Sequence, residues 1–558
     1  MAQYTDVIFD AIVIGSGISG GWIAKELCEK GLKTLVLERG RMVRHIHDYP
    51  TMFKEPWDYP MGGALPANER KEYEKVVGWI DENKKHFFVE DSYHPYNEEK
   101  PFSWIRGYQV GGKSLTWARH CYRWSDLDFS ANKVENIAVD WPIRYKDIAP
   151  WYDYVEEFAG ISGESLGLDH LPDGRFLKPF ELNAVEKHVR QAIRKHFPER
   201  YLTMGRIANL TEIHNGRGPC QFRNRCDRGC PHSAYFSSNA VTLPAAKKTG
   251  NMTLRPHSVV SSIIYDEQKA IGVRVVDERT KEFHEYYSKL IFLNASTIAS
   301  TGILLNSKSN RFPNGLGNDS GELGHNLMDH HFYVGAQATF TGFSEFNPNG
   351  GRPGGIYIPR FRNLVPGNNT SNFLRGYGYQ GSAQRQGWNE RINDHEFGMA
   401  YKDSLFLPGA WTMSITGFGE CLPYHDNRVQ LTKRRDTWGN PILSIKCEFK
   451  DNEIAMRKQI YKDAVNMFQA AGAVNIRSFN IDVPPGRGIH EMGTARMGHD
   501  PKTSVLNAYN QIHSVPNVFV TDGSCMTSSS CVNPSLTYMA LAARAANYAA
   551  NALHRGEI

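Results

Sequence analysis

The chain has 558 residues, 41% hydrophobic and 22% charged, an ordinary globular balance that excludes a disordered or low-complexity protein. Its 64 basic and 59 acidic side chains leave a formal net charge of +5, too small at this size for a nucleic-acid footprint. Nine cysteines are too few for a disulfide scaffold, and the best candidate membrane span, Ala11 to Ala24, is too short and too rich in glycine.

The first ten residues carry no basic region and no twin arginine, so no export signal is expected; taken alone, the chain reads as cytoplasmic. Residues 9–14, Phe-Asp-Ala-Ile-Val-Ile, predict a buried parallel strand. Ser19 to Lys30 predicts a helix stopped by Gly31, and Lys33 to Glu38 the next strand, so the chain opens on a βαβ unit. Residues 41–100, polar and aromatic without a clear period, read as an excursion over the surface. Helices are expected at Ile148–Phe158 and Ala184–His196, and strands at Met252–Leu254, Val259–Tyr265, Ala270–Val276 and Lys289–Leu293. Residues 331–480 mix strand-like runs with glycine-rich loops and a helix from about Asn452 to Ala471. A strand at Asn517–Thr521 and a helix at Ser535–Leu553 close the chain.

The βαβ unit carries Gly15-x-Gly17-x-x-Gly20, and Glu38 ends its second strand. Gly15 makes the tight turn, Gly17 lets backbone approach a pyrophosphate, and Gly20 lets helix pack on strand. The helix N-terminus attracts phosphate, and Glu38 can take a ribose hydroxyl. The pattern predicts a bound dinucleotide without separating FAD from NAD. Gly107 to Ser114 matches the P-loop pattern literally. Pro101-Phe-Ser-Trp-Ile-Arg is a poor strand to precede it, so nucleotide hydrolysis is not expected.

Further motifs follow in order: Gly111-Gly112-Lys-Ser-Leu-Thr-Trp117, Asn294-Ala-Ser-Thr-Ile-Ala-Ser-Thr-Gly-Ile-Leu-Leu305, His490-Glu-Met-Gly-Thr-Ala-Arg-Met-Gly498, Asn517-Val-Phe-Val-Thr-Asp522, and Asn533-Pro-Ser. With the fingerprint, this set resembles the glucose–methanol–choline (GMC) family of flavoprotein oxidoreductases from about residue 9 to 552, least specifically over 331–480. The resemblance implies a mixed α/β (α+β) fold: a Rossmann-type FAD domain and a sheet-based substrate domain. The FAD domain is expected at 1–50, 101–130, 215–330 and 481–558. The substrate domain and surface excursions are expected at 51–100, 131–214 and 331–480. Cofactor contacts are implied at Gly15, Gly17, Gly20, Glu38, Gly111, Gly112, Ser114, Thr116, Val260, Asp522, Asn533 and Pro534. The resemblance also implies His490 as catalytic base, with Asn533 bonding the substrate hydroxyl. Alcohol oxidation needs a proton acceptor beside a hydride acceptor, and imidazole titrates near neutrality. The plain alternatives are a packed loop histidine and a helix N-cap. One branch of the family links flavin to a histidine where this chain has Thr116, so FAD is expected to be non-covalent.

Cys220, Cys226 and Cys230 are spaced C-x5-C-x3-C. Structural zinc prefers four ligands, and His232 is the only close fourth, whereas three thiolates suit a [3Fe–4S] cluster; a reduced thiol loop is the third reading. Arg217, Arg223, Arg225 and Arg228 would balance its charge or meet a partner. The trio resembles the cluster loop in catalytic subunits of bacterial FAD-dependent sugar dehydrogenases, and the segments Trp104–Trp117, Leu293–Ser300 and Gly324–His331 resemble glucoside 3-dehydrogenase among them. That resemblance implies oxidation of a secondary sugar hydroxyl, at C3 of a glucoside, with electrons relayed to a c-type cytochrome. It also implies a small maturation subunit carrying the export signal, hence a periplasmic site. Two other readings remain: a cluster-free, oxygen-using sugar oxidase, and a non-catalytic zinc-stabilised binding module. Asp329, His330 and His331 are candidate metal ligands but read better as structural or near-flavin groups, and Cys531 as a small buried hydrophobe.

Overall fold

The computed structural model describes residues 3–76, 80–348, 350–365, 371–388, 391–392 and 396–558. In chain order the elements used below are β1 (Gln3–Ile14), α1 (Ile18–Glu29), β2 (Thr34–Leu37), α2 (Tyr145–Ala159), α3 (Ala184–His196), β3 (Met252–Arg255), β4 (Ser258–Tyr265), β5 (Ala270–Asp277), β6 (Phe283–Leu293), α4 (Thr297–Asn306), β7 (Val334–Phe340), β8 (Ile356–Ile358), β9 (Tyr377–Arg385), β10 (Trp411–Gly419), α5 (Asp451–Ala470), β11 (Val474–Asn480), β12 (Val515–Val520) and α6 (Ser535–His554).

The larger sheet runs β12–β6–β1–β2–β3 with every one of these pairs parallel. Its inner strands, buried on both faces, are near-continuous apolar runs, and all four residues of β2 are inaccessible, whereas the edge strand β3 is only half-buried. The β4–β5 hairpin extends the sheet by antiparallel pairing with the first half of β6. Helix α6 lies against α1 and α2, and its buried alanines, Ala540 to Ala552, present no bulk to hold the helices apart. Trp22 of α1 fills the space beside them, against Tyr154, Phe158 and Phe236.

The smaller sheet is antiparallel, in the order β11–β7–β10–β9–β8 and then Thr203–Met204. Its strands alternate. Tyr379 points to α5, where its hydroxyl donates 2.6 Å to the Ile460 carbonyl, and neighbouring Gln380 points the other way. Gly417 meets α5 so closely that a Cβ would lie 2.3 Å from Ile460, while Phe418 faces away. Helices α3 and α5 therefore cover one face of this sheet, and the other lines a cavity shared with the parallel layer.

The segment 41–100 is more than a surface excursion. Tyr49, Met52 and Phe87 form a small core with Leu115, and Phe88, His94 and Pro95 reach the wall of the central cavity. Gly112–Leu115 is a single 3-10 turn with no strand before it, so the P-loop pattern has no P-loop structure. Among the described residues no helix is long and apolar enough to cross a membrane.

Candidate active site

A cavity of about 440 Å³ lies between the two sheets. One end is built by the fingerprint. Gly15 has φ +98°, and a Cβ there would strike the Asn294 carbonyl at 2.3 Å. At Gly20 a Cβ would lie 1.9 Å from the Gly15 carbonyl, so this glycine is a packing residue and does not face the cavity. Gly17 is different: a Cβ would meet nothing within 4 Å and would project into the cavity at the start of α1. Glu38 closes this end, accepting from the Ser16 amide (3.1 Å), the Ser16 hydroxyl (2.6 Å) and the Gly40 amide (3.1 Å). Burial pushes its carboxyl above the ordinary range.

The turn at 111–116 lies alongside. Gly111 packs inward at φ +92°, where a Cβ would overlap Asn239, and its amide donates to Ser16 Oγ. Gly112, Ser114 and Thr116 line the cavity, as do Val260 on β4 and Asp522 after β12. Asp522 accepts 2.5 Å bonds from the Ser300 and Ser524 hydroxyls. Asn533 and Ser535 bring the start of α6 to the wall, and Pro534, capping that helix, stands behind them.

His490 and Asn533 meet at the far end. Their Nε2 and Nδ2 atoms are 3.4 Å apart, beside Gln380, Phe332, Phe418 and His120. Gln380 donates through Nε2 to Asn533 Oδ1. Asp329, wholly buried, receives the amides of Gly486 (2.7 Å), Gly488 (2.9 Å) and His490 (3.0 Å) and so holds the loop that carries His490. His330 meets His490 at 2.8 Å, Nδ1 to Nδ1. His331 is buried beneath Gly419 and Phe449. The Asp-His-His segment is thus structural support for the cavity. Lys113 pairs with Glu491 at 3.1 Å on the same wall. Burial lowers the pKa of His490 well below 6.5, with His330, Lys113 and His120 adding to it, and pushes His120 down to about 3.

These features fit FAD. The space beyond Gly17 at a helix N-terminus suits a pyrophosphate, and Glu38 lies where a ribose would end. Buried wall atoms without a protein partner, Asn294 Nδ2, Glu491 Oε1 and the Tyr538 hydroxyl, are placed to meet a polar ligand.

The cysteine trio does not fit a cluster as arranged. Among the described residues no three His, Cys, Asp or Glu side chains are grouped to hold a metal ion. Cys220 packs against the core of the smaller sheet, and its sulfur accepts from the Phe222 amide at 3.4 Å. Cys226 begins a separate 3-10 turn, Cys226–Arg228. Burial raises the Cys220 thiol to about 11, with the Cys226 and Cys230 thiols adding to it. The arginines are engaged within the chain: Arg223 on the Met52 carbonyl, Arg225 on Glu55, Arg228 on the Lys54 carbonyl, and Arg217 on the Ala159 carbonyl. Cys531 is buried in the main core, its thiol raised by burial, as a small hydrophobe would be.

Sequence reasoning missed Gln380, Phe332, Phe418, His120 and the Lys113–Glu491 pair. Gln380, Phe332, Phe418 and His120 lie in no motif whose spacing signals a role; Lys113 and Glu491 lie inside quoted motifs, and His330 stood in a segment already singled out, but nothing in those patterns marks their partners.

Comparison with known proteins agrees with this geometry. GMC oxidoreductase family models match residues 9–332 and 423–542. The chain is 29% identical to 2-methyl-1,2-propanediol dehydrogenase of Mycolicibacterium austroafricanum, over 97% of this chain and 94% of that one. It is 25% identical to the fructose dehydrogenase large subunit of Gluconobacter japonicus, over 98% of each. Paromamine 6'-oxidase of Streptomyces fradiae is 26% identical over 98% of this chain and 92% of its own. In fold this chain is similar to pyridoxine 4-oxidase from Mesorbium loti, with a TM-score of 0.61 at 16% identity, covering 97% of this chain and 98% of that one. With the fingerprint glycines and Glu38 at one end of the cavity and family models matching both halves of the chain, the chain belongs to the GMC oxidoreductases, which oxidise CH–OH groups with FAD.

Proposed function

We propose that this enzyme oxidises a secondary sugar hydroxyl to a ketone, at C3 of a glucoside, with His490 as base. The observation that carries the reading is the meeting of His490 Nε2 and Asn533 Nδ2 on the cavity wall. The two atoms meet each other at 3.4 Å on the wall, and a hydroxyl entering between them would find an acceptor in Nε2 and a donor in Nδ2. Bound FAD supplies the hydride acceptor. Asn533, its Oδ1 taken by Gln380, turns its amide nitrogen toward His490 Nε2, where it can donate to the hydroxyl oxygen of an entering substrate. His490 takes the hydroxyl proton, and the aromatic faces of Phe332 and Phe418 exclude water and stack on a sugar ring. FAD is held without a covalent link, since Thr116 offers no imidazole. The sugar reading draws support from relatives named for fructose, gluconate and paromamine.

A relative named as a large subunit also supports a partner subunit, whereas the export signal on that partner and a periplasmic site rest on the resemblance of the cysteine loop alone. The [3Fe–4S] relay to a c-type cytochrome rests on the donor chemistry of Cys220, Cys226 and Cys230 alone, so no step of the reaction is routed through it. The second reading, an oxygen-using oxidase without a cluster, is favoured by those unconverged thiols and by the oxidase among the relatives.

One preparation, purified without oxygen or chelators, tests both. A ketone located at C3 by NMR after turnover of a glucoside with a dye acceptor is the expected product. Turnover of small diols but of no sugar overturns the substrate. Bound iron with a near-isotropic EPR signal after brief oxidation supports the relay. Flavin without iron, and one peroxide formed per sugar, moves the assignment to the oxidase.

The base has a pH signature of its own. Burial disfavours the charged imidazolium of His490, so the neutral, proton-accepting form persists as pH falls through 6.5. The acid limb of kcat/KM is therefore expected below pH 6.5, and a limb at or above that value would contradict a buried neutral base.

A further inference from the structure

His330 and His490 meet through their Nδ1 atoms at 2.8 Å, and one hydrogen must lie between them. The far ends decide which ring owns it. His330 Nε2 faces the carbonyl oxygens of Ser529 (3.2 Å) and Ser530 (2.9 Å), which only accept, so this nitrogen carries a hydrogen. Those carbonyls belong to an anchored strip: Ser529 Oγ bonds the amide and carbonyl of Cys421, and Ser530 Oγ bonds Asp128. A neutral His330 protonated on Nε2 has a bare Nδ1, and the shared hydrogen then belongs to His490 Nδ1. A neutral His490 protonated there has its lone pair on Nε2. The other end of the chain agrees. Gln380 Nε2 occupies Asn533 Oδ1, which leaves Asn533 Nδ2, a donor, against His490 Nε2. His330 is buried and His490 half-buried; burial holds His330 at about 4 and lowers His490 well below 6.5, so the neutral forms prevail near pH 7.

We propose that His330 is a positioning residue that sets the tautomer of His490, keeping hydrogen on Nδ1 and the Nε2 lone pair aimed into the cavity. The inference rests on the reading of His490 as base. In the step it serves, the substrate O–H bond breaks and an N–H bond forms at His490 Nε2. The resulting imidazolium keeps its Nδ1–H on His330, while the hydride leaves carbon for the cofactor. In the opposite tautomer His490 would present an N–H to the hydroxyl and could accept nothing.

Two variants separate tautomer control from packing. His330→Asn places Oδ1, an acceptor, near the position of Nδ1. His330→Gln keeps a donor near the two carbonyls but offers His490 no acceptor. The expected result is a fall in kcat of about 10²–10³-fold for H330Q with KM little changed, and recovery of at least about tenfold in H330N. Equal losses in the two variants would mean that His330 only packs. The tautomer is also read directly from the 15N spectrum of histidine-labelled holoenzyme, with His490 identified by the signals lost in His490→Asn. Hydrogen on Nδ1 is expected; hydrogen on Nε2 overturns the proposal even if both His330 variants fail to fold. Failure of the underlying reading is distinguishable, because it would appear as full activity in His490→Asn whatever the tautomer.

Discussion

Replacing His490 with asparagine is expected to lower the rate of flavin reduction by about 10³-fold, or ~4 kcal/mol of transition-state stabilisation. Asparagine is the informative choice. Its amide nitrogen can still donate to His330 Nδ1, and the backbone amide of residue 490 still meets Asp329, so the loop keeps its support. What is lost is the lone pair on the cavity wall. Anaerobic stopped-flow reduction by substrate measures this step without the acceptor, and the visible flavin spectrum checks that the cofactor is still bound. A variant that reduces flavin within threefold of the wild-type rate would remove His490 from the chemistry. The base candidates left on that wall would be the Glu491 carboxylate, paired with Lys113, and His120, which burial holds at about 3 and which bonds the Tyr122 hydroxyl at 3.1 Å.

The parts of this site legible in the sequence are those whose signal is local. A strand, three glycines and an acid fix one turn and its ligand, because each glycine answers a constraint within a few residues: a positive φ, a space for phosphate, a backbone contact. His490 and Asn533 were legible only through resemblance, since neither has a neighbour in sequence that marks its chemistry. Gln380 and Phe418 were not legible at all. A strand declares that alternate residues share a face, but not which face receives the ligand. That choice is made when α5 covers Tyr379 and Gly417 and leaves Gln380 and Phe418 on the cavity side.

The same limit explains Asp329, His330 and His331. Consecutive in sequence, they end on a cluster of loop amides, on the other imidazole and under a strand glycine. The chain crosses there from one sheet to the other, with Met328 bridging Met492 and His331 bridging Gly419, so neighbouring side chains enter different environments. The cysteine trio shows the converse. Its spacing places three thiols in one loop, but convergence depends on turns at Phe222 and Asn224, both at positive φ, which give Cys220 and Cys226 different surroundings.

Among the fingerprint glycines, Gly17 separates folding from cofactor binding. Its φ of −67° and ψ of −159° are open to any residue, and a Cβ there meets no protein atom within 4 Å. Gly17→Val is therefore expected to fold with a melting temperature close to wild type, measured on apoprotein. Its two methyl groups would stand in the space where the pyrophosphate approaches α1. The expected outcome is FAD binding weakened by about 100-fold or more, roughly 2.8 kcal/mol, read by titration and by loss of yellow colour on purification. Gly15→Val provides the contrast: a side chain at φ +98° that collides with the Asn294 carbonyl disturbs the β1 turn itself and lowers the melting temperature of the apoprotein. If Gly17→Val bound FAD as tightly as wild type, the pyrophosphate would have to lie elsewhere, and the role of Glu38 as ribose partner would fall with it. If instead the variant failed to fold, the open space beyond Gly17 would be a packing volume. A folded, colourless Gly17→Val beside a destabilised Gly15→Val is the pair of results that only a cofactor cradle at this helix N-terminus produces.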